Sequence, residues 1–353
     1  MYSTALGVSK TLYSKPLGSR PPIKVRHPME EADRFLTRLT TVLRDLFKRV
    51  QELIPLSELQ EKLKEHTAAE VLKFLDIENR FQQVAFGAGV AENKRSLTEA
   101  LREIFAAGAH AEITQLGKVP VRKQTVGADM AFDLMNQRAV NFLDGYVFNL
   151  IKGISNQSKL AIQDVLVKAF RQGGNPYDQA RLIRDSIGLT QAQALAVQNY
   201  RDMLESGVPS QMQAAVDRAL ASGKWDRSVA SAIANNKALP QDMIDRMVSA
   251  YASRSLNYRA EMIARTETSR ASNAGQQEAW DQAVDQGLLD PKTTLKVWIA
   301  AEDCCDDCGD VADADGVPID DMFDTSDGPL DGPPLHPNCR CGMSLEFSED
   351  ANA

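Results

Sequence analysis

The chain has 353 residues, enough for two or three domains that each bury a hydrophobic core. Its composition, 43% hydrophobic and 25% charged, is that of a folded protein and excludes wholesale disorder. Aromatic residues make up only 6% of the chain, which favours packed helices over a β-sandwich or barrel. No segment approaches 18 consecutive apolar residues and the N-terminus lacks an apolar signal core, so we expect neither a membrane span nor a secretory signal.

The charge is distributed unevenly along the chain, whose net charge is −8. Residues 301–353 contain fifteen acidic residues and one basic residue, Arg340, so this segment carries −14 and the first 300 residues carry +6. An acidic C-terminal segment should repel nucleic acid, whereas the rest of the chain need not.

Residues 1–29 are predicted to form a basic flexible arm. The segment contains five lysines and arginines and no acidic residue, and it shows no helical period. Such a segment is either a solvated arm or one that becomes ordered on an acidic partner or on DNA.

Residues 30–185 are predicted to form an N-terminal helical region. Apolar residues from Phe35 to Leu53 recur every three or four positions, as on one face of an amphipathic helix that Pro55 ends. Further helical patterns run through about 94–106 and 128–151.

Three capping patterns mark helix starts within this region. Ser57 with Gln60, and Thr67 with Glu70, have the spacing of capping boxes. Asn156 is a candidate cap for a separate helix that ends near Gly173.

Residues 186–290 are predicted to form a second helical region. Thr190 is a good N-cap, and Pro240 sits at the start of a longer helix that Gly287 and Pro291 close. The predicted buried face of the helix after Thr190 consists of Leu195, Val197, Tyr200 and Leu204.

Residues 291–353 are predicted to form a small acidic module with short strands. Thr294–Ile299 and Met343–Phe347 alternate apolar and polar residues, which is typical of strands. We expect two or three strands in a module too poor in apolar residues to be held together by burial alone. The predicted fold class is therefore mainly α, an extended helical body followed by a small α+β Cys/His module.

All five cysteines lie in this module. The spacing is Cys305-x2-Cys308, then 27 residues, then His336-x2-Cys339-x-Cys341. An odd number of clustered cysteines without a secretory signal argues against disulfides, and a CxxC knuckle supplies two corners of a tetrahedral zinc site. The pattern predicts a structural zinc that staples the module.

Five candidate ligands exceed the four that such a zinc takes. Cys305, Cys308 and Cys341 are the first three candidates, and either Cys339 or His336 supplies the fourth. The alternative for His336 is a loop histidine that hydrogen-bonds only to the backbone. Cys304 is left out because it should point away from its neighbour.

The sequence offers little for catalysis. It contains no H-E-x-x-H, Walker A, G-x-G-x-x-G or G-x-S-x-G motif, and only four histidines. Arg265, Glu267 and Arg270 share one predicted helix, where they form either a surface ion-pair set or a group that orients the Cys/His module or a partner.

A set of motifs in the C-terminal half resembles the Mu F-like phage minor head proteins, also called the phage head morphogenesis family. These motifs are Ile263–Thr268, Asn273–Gly275, Trp280, Trp298, Asp303, the CxxC pair and Pro333–Cys341. The segment from Gly188 to Arg201 is similar to the helical region that often precedes this domain. Trp298 belongs to the shared pattern, and we group it with Arg265 and Glu267 as residues that orient the module or bind a partner.

The resemblance implies a minor capsid protein without enzymatic activity. Such proteins bind the portal protein inside the head, at the portal vertex, and are present in the host cytoplasm during assembly. They assist head morphogenesis and DNA packaging or delivery. The basic arm would then contact packaged DNA or an acidic portal surface, and no small-molecule substrate is evident.

Two other functions are compatible with a metal site. One is a metal-dependent nuclease, or another enzyme acting at DNA ejection, built on His336 and the surrounding aspartates. The other is a zinc-dependent regulator that binds nucleic acid, which the charge of −14 disfavours.

Overall fold

The computed structural model describes residues 29–86, 96–116, 120–121, 124–125, 130, 132–172 and 175–347. Residues 1–28, which include nearly all of the predicted basic arm, lie outside the described residues. The fold is mainly α with a small sheet near the C-terminus, and the predicted fold class is confirmed. None of the described helices is long and apolar enough to cross a bilayer.

The helices are α1 (Met29–Glu52), α2 (Leu56–Glu65), α3 (Ala68–Leu75), α4 (Ile77–Phe86), α5 (Leu97–Leu116), α6 (Gln137–Gln172), α7 (Pro176–Asp185), α8 (Gln191–Glu205), α9 (Pro209–Val216), α10 (Asp226–Ala234), α11 (Gln241–Asp285) and α12 (Asp306–Asp313). The strands are β1 (Pro120–Val121), β2 (Gln124–Thr125), β3 (Thr294–Ile299), β4 (Val317–Pro318) and β5 (Gly342–Phe347). Strand β3 lies between β4 and β5 and is antiparallel to both.

Two of the predicted caps are confirmed. The side chain of Thr67 accepts a hydrogen bond from the backbone N–H of Glu70, and the Glu70 carboxylate accepts one from the backbone N–H of Thr67. Thr190 and Gln193 make the same reciprocal pair at the start of α8. Each pair satisfies amide groups that have no partner within the helix.

Three local predictions are wrong. Pro55, rather than Ser57, occupies the N-cap of α2, because only three residues separate α1 from α2 and the helix has already begun at Leu56. Asn156 caps nothing, because α6 continues through it to Gln172. Leu195 is exposed, since the buried stripe of α8 includes Ala194 and Gln198 instead.

The chain divides into two compact units. One comprises Met1–Arg38, Ala100–Leu143 and Ile263–Ala353; the other comprises Leu39–Glu99 and Asp144–Met262. We call them the Cys/His unit and the helical unit.

The helical unit contains a loop, residues 186–190, that is fixed from several sides. Gly188 has a φ of 88°, and its N–H donates to Ser158 Oγ at 2.9 Å. The buried guanidinium of Arg259 donates to the carbonyl of Gly188 and to Gln157 Oε1, the latter at 2.7 Å. A Cβ at position 188 would lie 2.8 Å from a side-chain carbon of Phe47, so the loop requires glycine for space as well as for φ.

The Cys/His unit contains a close crossing of α5 and α11. A Cβ on Gly108 would overlap the carbonyl oxygen of Ser272, and a Cβ on Gly275 would overlap that of Phe105. The two glycines therefore let the two backbones approach more closely than any other residue would permit.

The apolar side chains of the C-terminal module pack on one another and on α11. One hydrophobic cluster joins Trp280 of α11 and Leu116 of α5 to Trp298, Phe323 and Met343 of the module. The Trp298 and Phe323 rings meet edge to face, with centroids 5.4 Å apart. Helix α11 and α5 thus supply apolar surface that the short strands lack.

Candidate metal centre

The first two candidate metal ligands, which we call donors, lie at the start of α12. Cys305 is the N-cap of this helix and is exposed, whereas Cys308, in the first turn, is buried. Asp306 and Asp307 lie between them. The short helix places both sulfurs on the side of the chain that meets the donors from the later segment.

The other donors lie in residues 333–341, which we call the donor loop. Cys339 and Cys341 are buried, and His336 is partly exposed. The backbone N–H of Cys339 donates to the carbonyl of His336 at 3.2 Å, and Asn338 between them has a φ of 68°. This tight turn brings the imidazole and the Cys339 thiol to the same side of the loop.

The structure brings the predicted donors from the two segments together. Cys305 Sγ lies 3.2 Å from His336 Nε2, and Cys308 Sγ lies 3.4 Å from the same nitrogen and 3.7 Å from Cys339 Sγ. Zn–S bonds of about 2.3 Å and tetrahedral geometry give S–S edges of about 3.8 Å, so these separations suit a zinc ion.

The five donors form two overlapping sets of three. One set is Cys305, Cys308 and His336; the other is Cys308, Cys339 and Cys341; within each set the ligand atoms lie within 4.8 Å of one another. Cys308 belongs to both. A tetrahedral ion that takes Cys308 and donors from both sets would join α12 to the donor loop.

The imidazole is oriented for a ligand role through its Nε2. Its Nδ1 lies 2.9 Å from the carbonyl oxygen of Pro337, which is the distance of an N–H donated to a carbonyl. That hydrogen bond raises the pKa of His336 and leaves Nε2 facing the thiols. A metal-ligating histidine commonly has such a partner on its second nitrogen.

The thiols differ in how readily they lose a proton. Hydrogen bonding from the Cys341 thiol lowers the pKa of Cys339 to about 5, and the backbone N–H of Cys308 lowers the pKa of Cys305. Burial raises the pKa of Cys308, and the hydrogen bond to Cys339 raises that of Cys341. Hydrogen bonding thus favours the thiolate at Cys339, and a cation would favour ionisation of the remaining thiols.

Helix α11 contacts the donor loop through three polar side chains. Thr266 Oγ accepts a hydrogen bond from the backbone N–H of Asn338 at 2.9 Å, and Arg265 Nη1 donates to Asn338 Oδ1 at 2.8 Å. Asn273 Nδ2 donates to the carbonyls of Pro333, at 3.2 Å, and Cys341, at 3.4 Å. Both ends and the tip of the loop are therefore held from one helix.

The other two residues predicted to orient the module lie in different surroundings. Glu267 is buried, and desolvation raises its pKa to about 7 although Arg270 Nη1 lies 3.8 Å from its carboxylate. Trp298 is buried in β3, and its indole N–H has no hydrogen-bond partner among the described residues. Arg265 contacts the donor loop directly, whereas Trp298 belongs to the hydrophobic cluster that also contains Cys341.

Sequence reasoning missed several residues that shape the site. Thr266 and Gln276 are short polar residues within a helical pattern, and their partners lie 72 and 67 residues away along the chain. Gln276 Nε2 donates to the carbonyl of Met343 at 3.0 Å and to Glu112 at 2.8 Å. The signal that could have found them is their position on α11, since Thr266 directly follows Arg265 and Gln276 lies about three turns further along.

Comparison with known proteins identifies one family. Residues 210–344 match the family model described as Phage Mu protein F like protein, so the resemblance to that family is confirmed. The matched segment contains the donors and the α11 residues that contact them, whereas the segment from Gly188 to Arg201 precedes it. No curated protein and no solved structure gives a significant match to the chain.

Proposed function

We propose that this chain, which is Mu F-like over residues 210–344, is a phage minor head protein that binds the portal protein inside the head and assists head morphogenesis and DNA packaging or delivery. The observation that carries the proposal is the family match over the segment that contains the Cys/His cluster. The family is one of phage head proteins, which supports a structural rather than an enzymatic role and a place in the virion.

We further propose that a zinc ion staples the C-terminal module, with ligands drawn from Cys305, Cys308, His336, Cys339 and Cys341. When bound, the ion supplies a cross-link and two positive charges beside thiolates. The protein supplies the ligands: α12 presents one pair of thiols, and the donor loop presents the imidazole and the other thiols.

The geometry at His336 argues against the nuclease alternative. Its Nδ1 is paired with the Pro337 carbonyl, and its Nε2 faces the sulfurs of Cys305 and Cys308. A general base needs a ring nitrogen within reach of the proton that it removes, and both nitrogens of this ring already face groups of the protein.

The test of the head-protein proposal is quantitative peptide mass spectrometry on purified, DNA-filled virions and on procapsids. We expect this chain at a low, reproducible copy number relative to the portal protein, and cross-linking in procapsids should join it to the portal. Absence from both particles would overturn the proposal. Presence in procapsids alone would limit the role to assembly.

The basic arm has its own test. We propose that residues 1–28 contact packaged DNA or an acidic portal surface, because they carry five basic and no acidic residues. Deleting them should weaken binding to one of the two partners most strongly at low salt, since screening weakens such contacts. Binding to portal and to DNA that is unchanged by the deletion at every salt concentration would contradict this role.

A further inference from the structure

The two segments that supply the donors are held in different ways. The donor loop is irregular, yet Asn273 binds a carbonyl at each of its ends and Thr266 binds the amide at its tip. Both side chains are buried, so water competes little for these hydrogen bonds. The loop therefore has its binding shape fixed by the helix beside it.

The tip of the loop is the place where such fixing matters most. Asn338 has a left-handed φ of 68°, which a non-glycine residue adopts at some cost in energy. This residue lies between His336 and Cys339 and determines how the two face each other. Thr266 and Arg265 hold it from its backbone and from its side chain.

The other segment, which carries Cys305 and Cys308, has fewer contacts that would fix it without a metal. Cys305 is exposed at the N-cap of α12, and Asp306 and Asp307 follow it directly. Asp306 and Asp307 place negative charge in the segment that carries both sulfurs, and a cation bound there would compensate it. Only Cys308 and Val311 of this helix are buried in the hydrophobic cluster.

We propose that Thr266 and Asn273 are positioning residues of the metal centre: they preassemble the donor loop on α11, so that the metal captures the Cys305 and Cys308 segment. The inference rests on the proposed zinc staple. It assigns the two halves of the site different roles, a half that is fixed without metal and a half that depends on it.

The test measures cobalt and zinc affinity of the full-length chain by competition with a chelator, with the cobalt absorption spectrum as a readout of ligand geometry. Thr266→Val keeps the shape of the side chain and removes the acceptor, and we expect a loss of metal affinity of about 10- to 100-fold with an altered spectrum. Thr266→Ser restores the acceptor and should restore both.

Thr268→Val is the matched control. Thr268 is buried on the same helix, but its hydroxyl has no hydrogen-bond partner among the described residues. The substitution should leave affinity and spectrum unchanged. An equal loss in Thr268→Val and Thr266→Val would overturn the inference, since it would show a general effect on the helix, and so would an unchanged affinity in Thr266→Val.

Hydrogen exchange on the wild-type chain gives a second test that needs no variant. On removal of the metal, amides of residues 302–314 should lose protection, while those of 333–347 keep it. Equal loss in the two segments would contradict preassembly. A wild-type chain that binds neither cobalt nor zinc would instead refute the zinc staple itself, and the two failures are therefore distinct.

Discussion

The two halves of α11 use different chemistry to hold irregular loops. In the helical unit, the charged Arg259 reaches the carbonyl of Gly188. In the Cys/His unit, neutral side chains, Thr266 and Asn273, reach the backbone of the donor loop. Each half satisfies backbone polar groups of an irregular loop.

The difference follows from what each loop has to do. The 186–190 loop is a packing element, and the Arg259 guanidinium, which lies over the Phe47 ring at 5.8 Å from its centroid, adds a cation–π contact to its hydrogen bonds. In the proposed zinc site, the donor loop carries thiols that would ionise around the metal. Neutral amide and hydroxyl groups fix its backbone, and the charged Arg265 contacts the loop at the side chain of Asn338.

The largest expected loss of stability tests the close crossing of α5 and the part of α11 that lies in the Cys/His unit. Gly275→Ala should cost about 3 kcal/mol or more, because the added Cβ overlaps a backbone carbonyl that cannot rotate away. Urea unfolding followed by the fluorescence of Trp280 and Trp298, both in this unit, measures it.

The matched control for that substitution is Gly145→Ala. A Cβ at Gly145, within α6, meets nothing within 4 Å, so alanine should be neutral or stabilise by about 0.5–1 kcal/mol. Similar urea midpoints of unfolding for the Gly275 and Gly145 variants would contradict the close crossing of α5 and α11.

The next prediction tests whether the two halves of α11 act independently in stability and in metal affinity. Arg259→Met removes the donor to Gly188 and leaves its carbonyl unpaired, which should cost about 2–3 kcal/mol in unfolding of the helical unit. Metal affinity should not change. Arg246→Met, which removes an exposed ion pair with Asp242, should cost less than about 1 kcal/mol. A loss of metal affinity in Arg259→Met would show that the two halves are not independent.

The smallest effect depends on pH. Because the pKa of Glu267 is raised to about 7 in the folded chain, its protonated form favours folding at low pH, and that stability is lost as pH rises through 7. Glu267→Gln should therefore raise the unfolding free energy at pH 8 by about 1–2 kcal/mol and change it little near pH 5. A gain of equal size at both pH values would contradict the assigned cause.

The fold class and the Cys/His cluster could be predicted because their signals are local. An apolar stripe with a period near 3.6, the alternation in Thr294–Ile299 and the Cys305-x2-Cys308 spacing each depend on a few neighbouring residues. Helix α12 was missed because its Asp-rich sequence resembles a solvated turn, and only the burial of Cys308 and Val311 makes it a packed helix.

The contacts that shape the site could not be predicted from local patterns. Gly275 belongs to the Asn273–Gly275 motif, but the reason for a glycine there is the backbone of Phe105, 170 positions earlier. Asn273 finds carbonyls 60 and 68 residues away. Such partners depend on the tertiary fold, which local patterns in the sequence do not reveal.

The measurement that tests the central claim most directly is native mass spectrometry of the full chain, purified under reducing conditions in the presence of zinc. We predict one zinc ion per chain, removed by a chelator and by Cys308→Ser, because Cys308 belongs to both donor sets. A metal-free mass for the folded wild-type chain under these conditions would contradict the claim that a metal joins α12 to the donor loop.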